Sequence, residues 1–148
     1  MIGFFIALIS GALMSIQGVF NTQVTKATSI WVSSSFVQLT ALITSLLMWF
    51  CTGRKSFAKL LEVENKYTLL GGIIGAFITY TVIRSVSELG TAKAILLIVI
   101  TQIVVAYVIE LFGLFGSEKG AFSWIKVAGL AVSVIGILIF NYDKLFAK

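Results

Sequence analysis

Long apolar runs alternate with short polar joints along this chain, and the runs share a length. Residues 2–20, 29–51, 67–83, 94–115 and 124–142 are dominated by Leu, Ile, Val, Phe, Ala and Gly. Each approaches the roughly 20 residues that a helix needs to cross a hydrocarbon core of about 30 Å. The pattern predicts an all-α polytopic bundle of five transmembrane helices, forming one transmembrane domain over residues 1–148. The joints are polar for a reason, since backbone groups freed at a helix end need partners. Asn21, Thr22, Gln23, Thr25 and Lys26 carry the chain out of the first span. Residues 85–93, with Glu88 and Gly90, predict a short turn at the opposite face, and Arg84 snorkels at the end of the third span. The one concentrated run of charge, RKSFAKLLEVENK over residues 54–66, sets Phe57, Leu60 and Leu61 opposite Lys55, Lys59 and Glu62 at helical spacing. That predicts a short amphipathic helix in the headgroup region, with a solvated loop as the alternative.

Composition agrees with the pattern. Hydrophobic residues make up 59% of the chain and charged residues only 11%, and the mean hydropathy is +1.06, well outside the soluble globular mix. A secretory signal competes for residues 2–20, but no Lys or Arg precedes the apolar run and no convincing small-residue cleavage site follows it. A net charge of +5 would suggest nucleic acid in a soluble protein. Here most of the basic residues stand between apolar runs, where they act on membrane topology, and no nucleic-acid partner is expected. With no His and only Cys51, neither a disulfide framework, a His/Cys metal site nor a Cys/His catalytic pair can be built. No cofactor is expected, and the chain does not read as an enzyme.

Five spans put the two termini on opposite sides. One face then carries Arg54, Lys55, Lys59, Lys66, Lys119 and Lys126, and the other Lys26, Arg84, Lys93, Lys144 and Lys148, six against five. The positive-inside rule needs an asymmetry. Its near absence suggests dual topology and an antiparallel homodimer with an in-plane two-fold axis, as inverted-repeat transporters have within one chain. A single orientation fixed by the cluster at 54–66 is the alternative.

Candidate chemistry centres on residues 96–116, LLIVITQIVVAYVIELFGLFG, which hold Glu110 and Gln102. An ionisable residue at membrane depth is a functional candidate by default. Residues 94–109 give only about 24 Å of helix, so the span includes Glu110 or distorts around it. A span over 94–115 sets Gln102 near the midplane and Glu110 about 7 to 10 Å beyond it. Desolvation favours the neutral form of a carboxyl and an approaching cation favours the charged form, so a carboxyl at depth can exchange a proton for a cationic substrate. The alternative is a structural Glu110 that snorkels or pairs with Lys119 or Lys126. Gln102 is a direct substrate ligand or an interhelical hydrogen-bonding residue. Gln17 and Asn21, four apart, share a helix face and offer amides to a cavity. If the dimer is antiparallel, the end of one protomer that holds Gln17, Asn21, Thr79 and Tyr80 shares a depth with Glu110 of its partner, while Tyr80 and Tyr107 also fit packing roles. Gly71 and Gly75 form a small-xxx-small pair for close helix contact, and the Gly71-Gly72 step is a candidate bend.

Four segments taken together, GALMSIQGVFNTQ (11–23), LGGIIGAF (70–77), ITQIVVAYVIELFGLFG (100–116) and KVAGLAVSVIGILI (126–139), resemble the YdcZ-type family of the drug/metabolite transporter superfamily. The resemblance covers nearly the whole chain. It implies a helical-bundle transporter of the bacterial cytoplasmic membrane, with a small-molecule substrate. That family commonly carries an acid at the position of Glu110, often Asp, then an aromatic residue or His, then Phe-Gly. Glu110-Leu111-Phe112-Gly113 keeps the acid and the Phe-Gly and departs in acid length and in the neighbour. Gly129 and Gly136, seven apart, are similar in spacing to the dimer-forming last helix of the related small multidrug resistance proteins. Those proteins use a first-helix Glu, which this chain lacks. The expected function is secondary-active transport of a small metabolite or cation by alternating access, as proton-coupled export or exchange in contact with membrane lipids. A lipid-linked substrate flippase and a non-transporting membrane subunit are the alternatives.

Overall fold

The computed structural model describes residues 2–140, and all regular structure among them is helical. Five α-helices occur in order: α1 (Ile2–Ala27), α2 (Ile30–Cys51), α3 (Gly71–Leu89), α4 (Thr91–Phe112) and α5 (Trp124–Phe140). Short 3-10 segments cover Phe57–Glu62, Lys66–Leu70 and Leu114–Gly116. Four spans, Ile2–Ala27, Ile30–Cys51, Lys66–Leu89 and Thr91–Phe112, are long and apolar enough to cross a membrane, and α5 is a shorter apolar helix of 17 described residues. The expected end of the fifth span at Tyr142, together with Asp143, Lys144 and Lys148, lies outside the described residues. The chain falls into two compact units, one through Thr91 and one from Ala92.

In the first unit α1, α2 and α3 each contact the other two. Their shared interior is built from small and polar groups as much as apolar ones: Gly18, Asn21 and Thr22 of α1, Ser33 and Ser34 of α2, and Ile83 and Val86 of α3 are buried. Gly18 lies at the α1–α3 contact, where a Cβ would stand at ordinary contact distance, 3.5 Å from Val82 Cγ1 and 3.8 Å from Val86 Cγ2, and a larger side chain would not fit. The Ser33 hydroxyl donates to the Asn21 carbonyl at 2.9 Å, and Gln38 Nε2 donates to Thr79 Oγ1 at 3.3 Å. These links suit helices in lipid, where small residues and interhelical hydrogen bonds replace a hydrophobic driving force. The large apolar side chains, Phe4, Phe5, Leu47, Ile73 and Phe77 among them, point outwards.

Three expectations are corrected. The polar joint after the first span is not a departure from helix: Asn21 to Lys26 continue α1, and Asn21 and Thr22 enter the interior. Their side chains have partner helices to face, so polarity marks contact rather than exit. The chain instead reverses at Thr28 and Ser29, where the Ser29 hydroxyl caps α2 by accepting from Val32 N at 3.3 Å. The turn expected over 85–93 shrinks to Gly90. Helix α3 runs through Arg84 to Leu89, supported by an i,i+4 ion pair from Arg84 Nε to Glu88 Oε1 at 2.6 Å, and Gly90 takes φ 81°, which favours glycine. Finally, α4 spans Thr91–Phe112 rather than 94–115. It stops because Gly113 adopts the left-handed conformation, φ 63° and ψ 37°, that commonly ends helices.

The basic run at 54–66 is helical but tighter and shorter than an amphipathic α-helix, with its 3-10 segment at Phe57–Glu62. It is tied back to the end of α2. Trp49 Nε1 donates to the Lys55 carbonyl at 2.9 Å, the Trp49 and Phe57 rings lie 4.9 Å apart, and the Arg54 guanidinium sits 3.7 Å above the Phe50 ring. The candidate bend at Gly71-Gly72 falls where 3-10 helix gives way to α3.

Candidate functional site

The second unit contains the acid that sequence patterning singles out. Glu110 lies in the last turn of α4, and its Oε1 accepts from Lys126 Nζ at 2.8 Å. Of the two lysines expected as partners, Lys126 takes the carboxylate. Both side chains are about half exposed in the isolated chain, 46% for Lys126 and 48% for Glu110. They line a groove of about 400 Å³ together with Ile103, Ala106, Tyr107, Gly129, Leu130 and Ser133. Positions 103, 106, 107 and 110 are one face of α4, and 126, 129, 130 and 133 are one face of α5, as the 3.6-residue period requires.

Tyr107 and the loop hold this groove in register. The Tyr107 hydroxyl accepts from Ser123 N at 3.0 Å and donates to the Ser123 carbonyl at 3.4 Å. Ser123 opens α5, since its carbonyl accepts from Val127 N at 3.2 Å. The start of α5 is thus pinned to α4 one turn before Glu110. The Tyr107 ring also faces the Lys126 ammonium at 5.4 Å, within cation–π range. Below the carboxylate, Gly120 N donates to the Glu110 carbonyl at 2.8 Å. A Cβ at Gly120 would stand 2.8 Å from Glu110 Oε1 and 2.9 Å from its Cγ. Gly120, Ser123 and the clamp role of Tyr107 escape a reading of the sequence, because SEKGAFS has the composition of any loop.

The pair sits against the helix dipoles. An acid in a last turn meets the negative end of its own helix, and a base in a first turn meets the positive end; each is disfavoured by about 0.3–1 kcal/mol. Helix-end optimisation would have placed the two charges the other way round. The position of Glu110 along its helix also changes. With α4 centred between Thr101 and Gln102, Glu110 lies about 13 Å from the helix midpoint, and Gln102 stays near it. Gln102 is exposed and lies off the α4 face that lines the groove.

The remaining polar and aromatic candidates belong to the first unit. Gln17 and Asn21 line a groove of about 870 Å³ between α1 and α2, with Ser10, Thr40, Thr44 and Ser45 on its walls. Two of those hydroxyls bond back to their own helix, Thr40 to the Phe36 carbonyl at 3.0 Å and Thr44 to the Thr40 carbonyl at 2.8 Å. Tyr80 stacks on Trp31 with ring centroids 5.0 Å apart and an interplanar angle of 22°. Thr79 donates to the Gly75 carbonyl at 3.0 Å, and Gln38 Nε2 is 4.0 Å from a Cβ placed at Gly75. Gly71, Gly72, Gly129 and Gly136 have open space where a side chain would stand.

Compared with known proteins, the sequence matches the family described as "Putative inner membrane exporter, YdcZ" over residues 2–139. The chain belongs to that family. No curated protein and no solved structure matches it. YdcZ family membership and the four membrane-length apolar helices make this an integral protein of the bacterial inner membrane and a membrane transporter. The family is described as an inner-membrane exporter, which implies a small-molecule substrate.

Proposed function

We propose that this protein is a secondary-active exporter of a small metabolite or cation, exchanging it for protons by alternating access, with Glu110 as the coupling group. One observation carries the reading: among the described residues, Glu110 is the acid that lines a groove between two apolar helices, and its oxygen already holds a cation. A carboxylate in that setting binds one positive charge at a time, be it an ammonium or a proton. The antiparallel homodimer belongs to the same proposal. The near balance of basic residues supports it. In such a dimer the Gln17 and Asn21 end of one protomer shares a depth with Glu110 of its partner.

Reconstitution in liposomes tests the reading. An imposed pH gradient is expected to drive at least one solute of a radiolabelled panel of amines and small metabolites, and Glu110→Gln to stop it. Uptake that is unchanged in Glu110→Gln overturns the role of Glu110. Movement of a labelled lipid between leaflets, with the panel untouched, favours a flippase instead.

A further inference from the structure

Lys126 is the member of the groove whose placement helix physics alone does not explain. A structural lysine on a short membrane helix would snorkel away from apolar surroundings, yet this one turns back to a carboxylate on the preceding helix, against the dipoles of both. Its ammonium rests where three features meet: the Glu110 oxygen at 2.8 Å, the face of Tyr107 at 5.4 Å, and the apolar walls of Ile103, Ala106 and Leu130. An anion, an aromatic face and an aliphatic trough together form a binding site for an alkylammonium group. Lys126 fills it with one such group, a butyl chain ending in –NH3+, carried on the protein itself.

Resting on the proposed role of Glu110, we propose that Lys126 is a tethered resident cation, and that the groove between α4 and α5 takes primary alkylammonium substrates by displacing it. The exchange balances charge. Glu110 stays paired before and after, and the released Lys126 ammonium moves outwards, since it stands in the first turn of α5 beside Trp124 and its stem reaches the headgroup region. Primary ammonium is the class chosen because it reproduces the N–H donor that Glu110 Oε1 now accepts; a quaternary ammonium has none. The charged and titratable neighbours of Glu110 are Lys126 across the groove, Tyr107 one turn earlier on α4 and Lys119 in the loop, whose Cβ is 3.3 Å from a Cβ placed at Gly113.

Binding of n-butylammonium to the full-length protein in nanodiscs, titrated by ligand-observed NMR without any gradient, tests the inference. Lys126→Met keeps an unbranched side chain, one atom shorter, and removes the charge. It is expected to bind n-butylammonium about two- to fivefold more tightly than the unaltered protein, the range of a half-exposed ion pair. Lys126→Ala guards against a Met side chain that refills the trough, and should show the same gain. Adding Glu110→Gln should erase that gain, and n-butanol or tetramethylammonium should compete poorly. Equal affinity with and without Lys126, a gain that survives Glu110→Gln, or equal competition by tetramethylammonium would each overturn it. Because no transport is measured, absence of pH-driven uptake overturns the proposed function while leaving this result to stand or fall alone.

Discussion

At the scale of single residues, the contact between Glu110 and Gly120 is the tightest constraint on the groove. Gly120→Ala would place a methyl group 2.9 Å from Glu110 Cγ, close to the backbone and unable to swing aside as a side-chain tip could. The carboxylate has to tilt away from its lysine, at about 1–3 kcal/mol for the overpacking. Gly120→Ala is therefore expected to weaken n-butylammonium binding, since the ligand needs the carboxylate where Lys126 now finds it, and to lower the melting temperature in detergent; an unchanged melting temperature with unchanged affinity counts against the contact. Glu110 itself was legible in the sequence, since a lone acid in 20 apolar residues is conspicuous. Its partner was legible only as a choice between Lys119 and Lys126, because a loop of unknown path decides which ammonium returns to α4. Gly120 was not legible, since its meaning lies in what stands next to it in space.

At the scale of elements, the helices of the first unit are held by small groups at close range, and their sensitivities follow. Ser33→Ala removes one interhelical hydrogen bond and is expected to destabilise by about 0.6 kcal/mol, near the average for such bonds in membranes. Ser33→Leu must instead push α1 from α2, because Ser33 is fully buried. A thermal-unfolding series in detergent should rank Ser33→Leu well below Ser33→Ala; equal shifts would show that α1 and α2 do not pack here. Gly18→Ala should be mild, its Cβ meeting Val82 at an ordinary 3.5 Å, whereas Gly18→Leu should not. Hydropathy located all five helices but misjudged their ends. It treats Asn21 and Thr22 as polar and sends them to water, although a neighbouring helix satisfies them as well. It cannot see that Ser85 to Leu89 continue a helix, because the Arg84–Glu88 pair works through periodicity rather than apolarity.

At the scale of the whole molecule, orientation is the open degree of freedom that charge counting addresses. Six basic residues against five leave insertion nearly unbiased if both orientations occur. With Cys51 replaced by Ser, a cysteine placed at either terminus is expected to be labelled from outside intact cells in part of the population. A terminus that is accessible in every copy, or in none, would rule out dual topology. Two added lysines in the 116–123 loop should then bias the population to one orientation, and export should fall if the antiparallel dimer is the working form.

The close approach of Gly120 to Glu110 also makes a statement about how such chains can diverge. An aspartate at position 110 would draw its carboxylate back by one methylene, away from Gly120 as well as from Lys126. The loop would then have room for a Cβ, and the lysine would no longer be reached without a shift of α5. Acid length at 110 and side-chain size at 120 should therefore vary together among relatives: glycine where the acid is Glu, and alanine or serine admitted where it is Asp. A single methylene in the last turn of α4 would in this way be written a second time, ten residues later, in the loop that follows.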